Sequence, residues 1–211
     1  ASRVWGLDGA PNFEGTHWHL HIARGLLLAH GVGRSTKGLI EAREDIAVPL
    51  EVRWTRGSGR ADVTLGGQQV SLAAGEWSRW VPLEFRVNVF ITLRGMVQLY
   101  LVGADTELQL YVSPVNFLPE DPPIPISSPA RFAGELAKRI GPYRTLGWAE
   151  ATWPLEEHRI TEDVFMNDLY RAFDDRAQVI LDRVTSGQWD LLIGVIESTD
   201  RVQHMMYRLI D

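Results

Sequence analysis

Asp200 and His204 stand four residues apart in the run Ile196-Glu197-Ser198-Thr199-Asp200-Arg201-Val202-Gln203-His204-Met205. On a helix that spacing stacks a carboxylate and an imidazole on one face. A hard oxygen beside a borderline nitrogen suits a zinc-like divalent ion. The preceding run, Leu191-Leu192-Ile193-Gly194-Val195-Ile196, is apolar throughout and reads as a fully buried strand. Ligands and chemistry gather beyond the carboxyl ends of strands in open α/β sheets, which is where Asp200 and His204 would then lie. Glu197 could line such a site, or brace His204 as an acceptor behind the ligand; a plain strand-end carboxylate fits it equally. The plainer reading of the segment is a helix capped by Thr199 or Asp200, with His204 simply exposed.

Three other groups compete for chemistry. His17, His19 and His21 alternate with Trp18, Leu20 and Ile22, so a strand would put three imidazoles on one face. No carboxylate nearby in sequence converges with them, and a module edge is the simpler role. Gly31-Val32-Gly33-Arg34-Ser35-Thr36-Lys37 resembles a phosphate loop superficially but lacks the Gly-Lys-Ser/Thr ending. Trp77 and Trp80, three apart in an extended segment, fall on opposite faces; they suit packing better than a flat sugar-stacking platform.

The elements that must position these residues change character along the chain. Ile46 to Trp54, Ala61 to Leu65, Gln69 to Leu72 and Trp80 to Val87 are strand candidates. Gly57-Ser58-Gly59 and Gly66-Gly67 supply turns. Val97 to Leu101 and Leu108 to Val112 read as a hairpin across Gly103-Ala104-Asp105. Short strands with glycine turns imply a β-rich module over residues 1–118, a small sandwich or barrel. A Pro-rich connector follows at 119–129. From 130 to 211 the pattern turns helical. Ser128-Pro129 is expected to start a helix over Ala130–Ile140, stopped by Gly141-Pro142. Thr161 is expected to cap a long helix from Glu162 to about Val184, closed by Ser186-Gly187, with Phe165, Leu169, Phe173, Val179 and Ile180 on its apolar face. Helix, buried strand and Asp200 loop together read as an α/β unit from a parallel sheet.

Composition narrows the function classes. The 211 residues can bury a proper core, as one domain or two small ones. A net charge of −6 argues against general affinity for nucleic-acid polymers or anionic membranes. With no cysteine, any metal must be held by Asp, Glu and His, and the composition fits a reducing compartment such as the cytoplasm. No apolar stretch approaches the roughly 20 residues of a membrane span.

The strand followed by Glu197-Ser198-Thr199-Asp200-Arg201-Val202-Gln203-His204-Met205-Met206-Tyr207-Arg208 resembles the bacterial branch of the type I phosphodiesterase/nucleotide pyrophosphatase family, in the alkaline phosphatase superfamily. The start agrees: Gly6-Leu7-Asp8-Gly9-Ala10-Pro11-Asn12-Phe13-Glu14-Gly15-Thr16 resembles a Gly-x-Gly-x-Pro-Asp-x-x-Gly stretch, with Asn12 where Asp is usual. Gly75–Trp80, Leu110–Pro114 and Tyr143–Gly147 fit as well, so the resemblance spans nearly the whole chain.

The resemblance implies a fold and an activity. The fold would be an alkaline-phosphatase-like α/β core segment with an inserted β-rich module, mixed α+β as excised. The parent would be a metal-dependent hydrolase of phosphodiesters, nucleotide pyrophosphates or related small phosphoesters. Two divalent ions, zinc by the family pattern, would clamp a phosphoryl oxygen. A Thr or Ser nucleophile would form a covalent phospho-enzyme resolved by water. By match to the family's Asp-x-x-x-His element, Asp200 and His204 would bind one zinc. The nucleophile and remaining ligands would lie outside this chain, so the segment by itself is expected to be inactive and partly or wholly metal-free. A phosphoglycerate-mutase-like or sulfatase-like relative would share the metal chemistry. The alternative from another class is a non-catalytic β-rich module that recognises carbohydrate or a protein partner.

Overall fold

The computed structural model describes residues 3–5, 17–21, 47–86, 89–146, 150–156, 158 and 160–209, with the backbone alone for 3–5, 17–21, 47 and 153. The Gly6–Thr16 stretch, the Gly31–Lys37 loop and Gly147 lie outside the described residues, as do the side chains of His17, His19 and His21. The chain divides into two compact units, Ala1–Pro125 and Ile126–Asp211.

The first unit is built from β-strands: β1 (Arg3–Trp5), β2 (His17–His21), β3 (Ala47–Trp54), β4 (Arg60–Leu65), β5 (Gln68–Ala73), β6 (Val81–Arg86), β7 (Thr92–Val97), β8 (Leu99–Ala104), β9 (Leu108–Val112) and β10 (Asn116–Phe117). They form three small sheets, ordered β2-β3-β4-β5, β10-β7-β6 and β1-β9-β8. All described pairings are antiparallel except β1 with β9. Alternation explains why these segments become strands. Val48, Leu50 and Val52 of β3, Ala61, Val63 and Leu65 of β4, and Val81, Leu83 and Phe85 of β6 are buried, while Glu84 and Arg86 point out. Those rows meet Leu99, Leu101, Leu108, Leu110 and Val112 in one apolar cluster. Gly66 and Gly67, at φ 56° and 83°, supply the two positive φ values that the two-residue β4–β5 turn needs. The β8–β9 hairpin forms, but β8 begins at Leu99 and runs on through Gly103 and Ala104, which were expected in the turn; the register is irregular between Leu101 and Gly103.

The second unit carries helices α1 (Phe132–Ile140), α2 (Thr152–Glu156), α3 (Glu162–Ser186) and α4 (Ser198–Met206), then a 3-10 turn at Tyr207–Leu209. Thr161 caps α3 by accepting from the Val164 N–H at 3.4 Å, and the helix ends at Gly187 in the left-handed region. Helix α1 starts two residues later than Pro129 suggested; the hydroxyl that receives a first-turn N–H, from Ala133 at 3.0 Å, is that of Ser127 and not Ser128. Ala133, Leu136 and Ala137 of α1 and Val164, Phe165, Leu169 and Ala172 of α3 are buried. Phe173, expected on the same apolar face, is 39% exposed, because that face buries Asp168 and Ala172 instead.

The segment Leu191–Ile196 departs most from expectation. It forms no strand, and Leu191 and Ile193 are each 77% exposed. A strand exists only through neighbouring backbone that takes its N–H and C=O groups, and among the described residues no backbone group does so here; the Val195 carbonyl accepts instead from Arg176 Nη1 at 3.4 Å. One side of the segment is seated nonetheless: a Cβ at Gly194 would lie 2.7 Å from Ile180 Cδ1 of α3, so only glycine allows this approach. The observed class is therefore mixed α plus β, with small, mainly antiparallel sheets. No described helix is long and apolar enough to cross a membrane.

Candidate metal centre

Helix α4 brings the expected pair together. Asp200 sits in its first turn and His204 in its last, and Asp200 Oδ1 lies 3.4 Å from His204 Nε2. Two ligands bonded at zinc distances in a tetrahedral shell are separated by about 3.3 Å, so the two donors are spaced as one edge of such a shell. The same separation also serves an ion pair when the imidazole is protonated. Both side chains are open to solvent, at 53% and 73% exposure. Among the described residues no group of three or more His, Asp or Glu that could hold a metal ion converges, so the pair stands without a third such side chain there.

The pair spans α4 from its first turn to its last and does not follow a buried strand. Neither Thr199 nor Asp200 caps α4: its N-cap position is Glu197, with no side-chain cap hydrogen bond. Glu197 does not brace His204. Its Oε2 accepts from Arg176 Nη2 at 2.8 Å, and its Oε1 lies 3.7 Å from Arg201 Nη2. Its carboxylate is engaged by two guanidinium groups instead, Arg176 of α3 and Arg201 one turn along α4, and charge-assisted contacts of that kind are the strong ones.

Sequence reasoning passed over the charged residues behind α4. Arg201 is 9% exposed and touches three carboxylates: Asp200 Oδ2 at 3.2 Å, Glu150 Oε2 at 3.5 Å and Glu197 Oε1 at 3.7 Å. Glu150 continues the network inward, since its charge also acts on Arg144. Arg144 donates to Asp168 through Nη2 at 2.7 Å and Nη1 at 3.2 Å, and its Nε lies 3.3 Å from Asp175. Burial works against the Arg144 charge, but Asp168, Asp175 and Glu150 outweigh it and raise its pKa. Burial also raises the Asp175 carboxyl above its usual range, against the pull of Arg144 and Arg171. The charge types were visible in sequence; no local pattern shows which arginine turns inward.

A groove of about 420 Å³ lies between α3 and residues 192–195, lined among others by Tyr143, Thr145, Arg176, Ile180, Arg183 and Ile193. In the β-rich unit Trp77 packs on Tyr100 and Tyr111, with ring centroids 4.9 Å and 5.9 Å away. Packing is thus its main role. A cleft of about 370 Å³ runs beside it, lined by Gln68, Gln69, Glu76, Arg79 and Trp80 among others. Compared with protein families, characterised proteins and solved structures, the chain matches no family model, no characterised protein and no solved structure.

Proposed function

We propose that this chain is the metal-binding segment of a hydrolase acting on phosphodiesters, nucleotide pyrophosphates or related phosphoesters, with Asp200 and His204 ligating one of two divalent ions, zinc in the first instance. The observation that supports this reading is the 3.4 Å separation of Asp200 Oδ1 and His204 Nε2 on one open helix face. An ion there supplies charge neutralisation at a phosphoryl oxygen and activation of an oxygen nucleophile. Asp200 contributes an anionic oxygen, which offsets part of the cation's charge. His204 would contribute an imidazole nitrogen.

The test is zinc binding by the chain itself, followed by titration calorimetry. Asp200→Asn and His204→Ala should each abolish the response. A response that survives both substitutions would remove the assignment.

A second reading rests on the cleft beside β5 and β6, where Gln68, Gln69, Glu76 and Arg79 offer polar groups next to Trp80. That combination suits a carbohydrate or an extended peptide. Binding to a panel of oligosaccharides that is lost in Trp80→Ala, with metal binding absent, would favour this reading over the first.

A further inference from the structure

Strand β5 ends the β2-β3-β4-β5 sheet among the described residues, and its register with β4 fixes which of its backbone groups that sheet uses. Leu65 and Gln68 flank a two-residue turn, so Gln68, Val70 and Leu72 exchange hydrogen bonds with β4 and the residues between them do not. Two contacts agree with that phase. The Ala74 N–H continues the ladder to the Gly59 carbonyl at 2.8 Å, while the Ala73 N–H turns outward to Glu76 Oε2 at 2.9 Å. The N–H and C=O of Gln69 and Ser71 therefore project from the outer edge, and no protein group among the described residues takes them. Such an edge is ordinarily blunted by charge, proline or a bulge. Strand β6, whose first residues line the cleft beside β5, carries Pro82. Strand β5, Gln68-Gln69-Val70-Ser71-Leu72-Ala73, has no charged residue and no proline, and its register is unbroken.

We propose that this edge receives one extended, acidic peptide segment of a partner protein, added to β5 as a further strand within the cleft of about 370 Å³. The proposal rests on the cleft reading above, selects peptide over carbohydrate, and is independent of the metal. Outward N–H and C=O groups repeating at every second residue are the complement of another extended backbone. Sugar hydroxyls have no such repeat. The cleft has a second wall, Glu76 to Pro82, so a lone segment fits where the edge of a second folded copy, flanked by its own strands, does not. That wall sets the side chains the segment carries. Trp80 is half-buried and offers an apolar surface. Arg79 is exposed and makes no ion pair among the described residues, which selects a carboxylate opposite it. Glu76 is turned to the Ala73 N–H and closes that end of the edge, leaving Gln69 and Ser71 as the open positions.

The experiment pans a display library of random, unstructured peptides on the unaltered chain and measures a selected, synthesised peptide by fluorescence anisotropy. Selection is expected to return sequences that alternate apolar and polar residues and carry Asp or Glu. Ser71→Ala keeps the outward N–H and should bind as the unaltered chain does. Ser71→Pro deletes that N–H at a position where proline costs no bond to β4, and should bind about tenfold more weakly. Arg79→Glu should turn the selected charge from acidic to basic. The peptide is also made in two forms, N-methylated at one or the other set of alternate residues. One form should lose binding and the other keep it, because only every second N–H of an added strand faces β5. Loss in both forms, or in neither, would overturn the proposal. If Ser71→Pro fails to fold by circular dichroism, the N-methylated pair decides, since it leaves the protein untouched. Should an oligosaccharide bind and depend on Trp80 while no peptide is selected, the peptide proposal is overturned and the cleft reading stands. Binding of neither removes both.

Discussion

Asp168→Asn removes one charge and almost no volume from the interior of the helical unit, so its effect isolates electrostatics from packing. Asp168 is 3% exposed. It accepts from Arg144 Nη2 at 2.7 Å, from Arg144 Nη1 at 3.2 Å and from the Ala151 N–H at 2.9 Å. Asparagine keeps one acceptor and turns a donor towards a guanidinium that is itself only 7% exposed. Breaking one side of a buried ion pair costs about 3–5 kcal/mol, because the remaining charge stays out of water. Asp175, 3.3 Å from Arg144 Nε, takes up part of that charge and brings the expected loss to the lower end, about 3 kcal/mol. For a unit of this size that corresponds to a fall in melting temperature on the order of 12–24 °C. Helical ellipticity at 222 nm is the assay, since the helices among the described residues all lie in this unit. A loss under about 1 kcal/mol in Asp168→Asn would refute the reasoning, since it would mean Arg144 reaches water or another acceptor at little cost.

Other substitutions probe separate links of the argument. Phe165→Ala, at a fully buried position of α3, should cost about 3–5 kcal/mol, and Phe173→Ala, at a partly exposed one, much less; urea midpoints by circular dichroism measure both. Gly194→Ala should cost about 1–3 kcal/mol, because its Cβ would meet Ile180 Cδ1 at 2.7 Å, and Ile180→Ala in the same chain should relieve the clash; a non-additive double-mutant cycle is the readout. Asp182 is held down to about 2 by its hydrogen bond from Arg139, with Arg183 adding to it. A depressed carboxylate contributes stability above its unfolded value of 3.8 that is lost as pH falls towards 2, so Asp182→Asn should flatten the melting-temperature profile between those two values.

Local signals decided a good deal of this molecule. Period-two alternation in Ala61–Leu65 and Val81–Arg86, and the Gly66-Gly67 turn, need only near neighbours to take effect, and those strands formed where the pattern lay. Thr161 and Gly187 bound α3 for the same reason: capping is chemistry within one turn of the chain. The Asp200–His204 pair was legible because helical geometry alone brings residues four apart into reach. Tertiary structure decided the rest. Leu191–Ile196 has a strand's composition and forms none, because a strand is defined by hydrogen bonds to residues distant in sequence. The Arg201–Glu150 pair spans 51 positions, and the inward turn of Arg201 depends on a buried carboxylate that no local pattern can announce. Glu197 was read beside His204 from proximity in sequence, while Arg176, a full helix away along the chain, was the stronger partner for its charge.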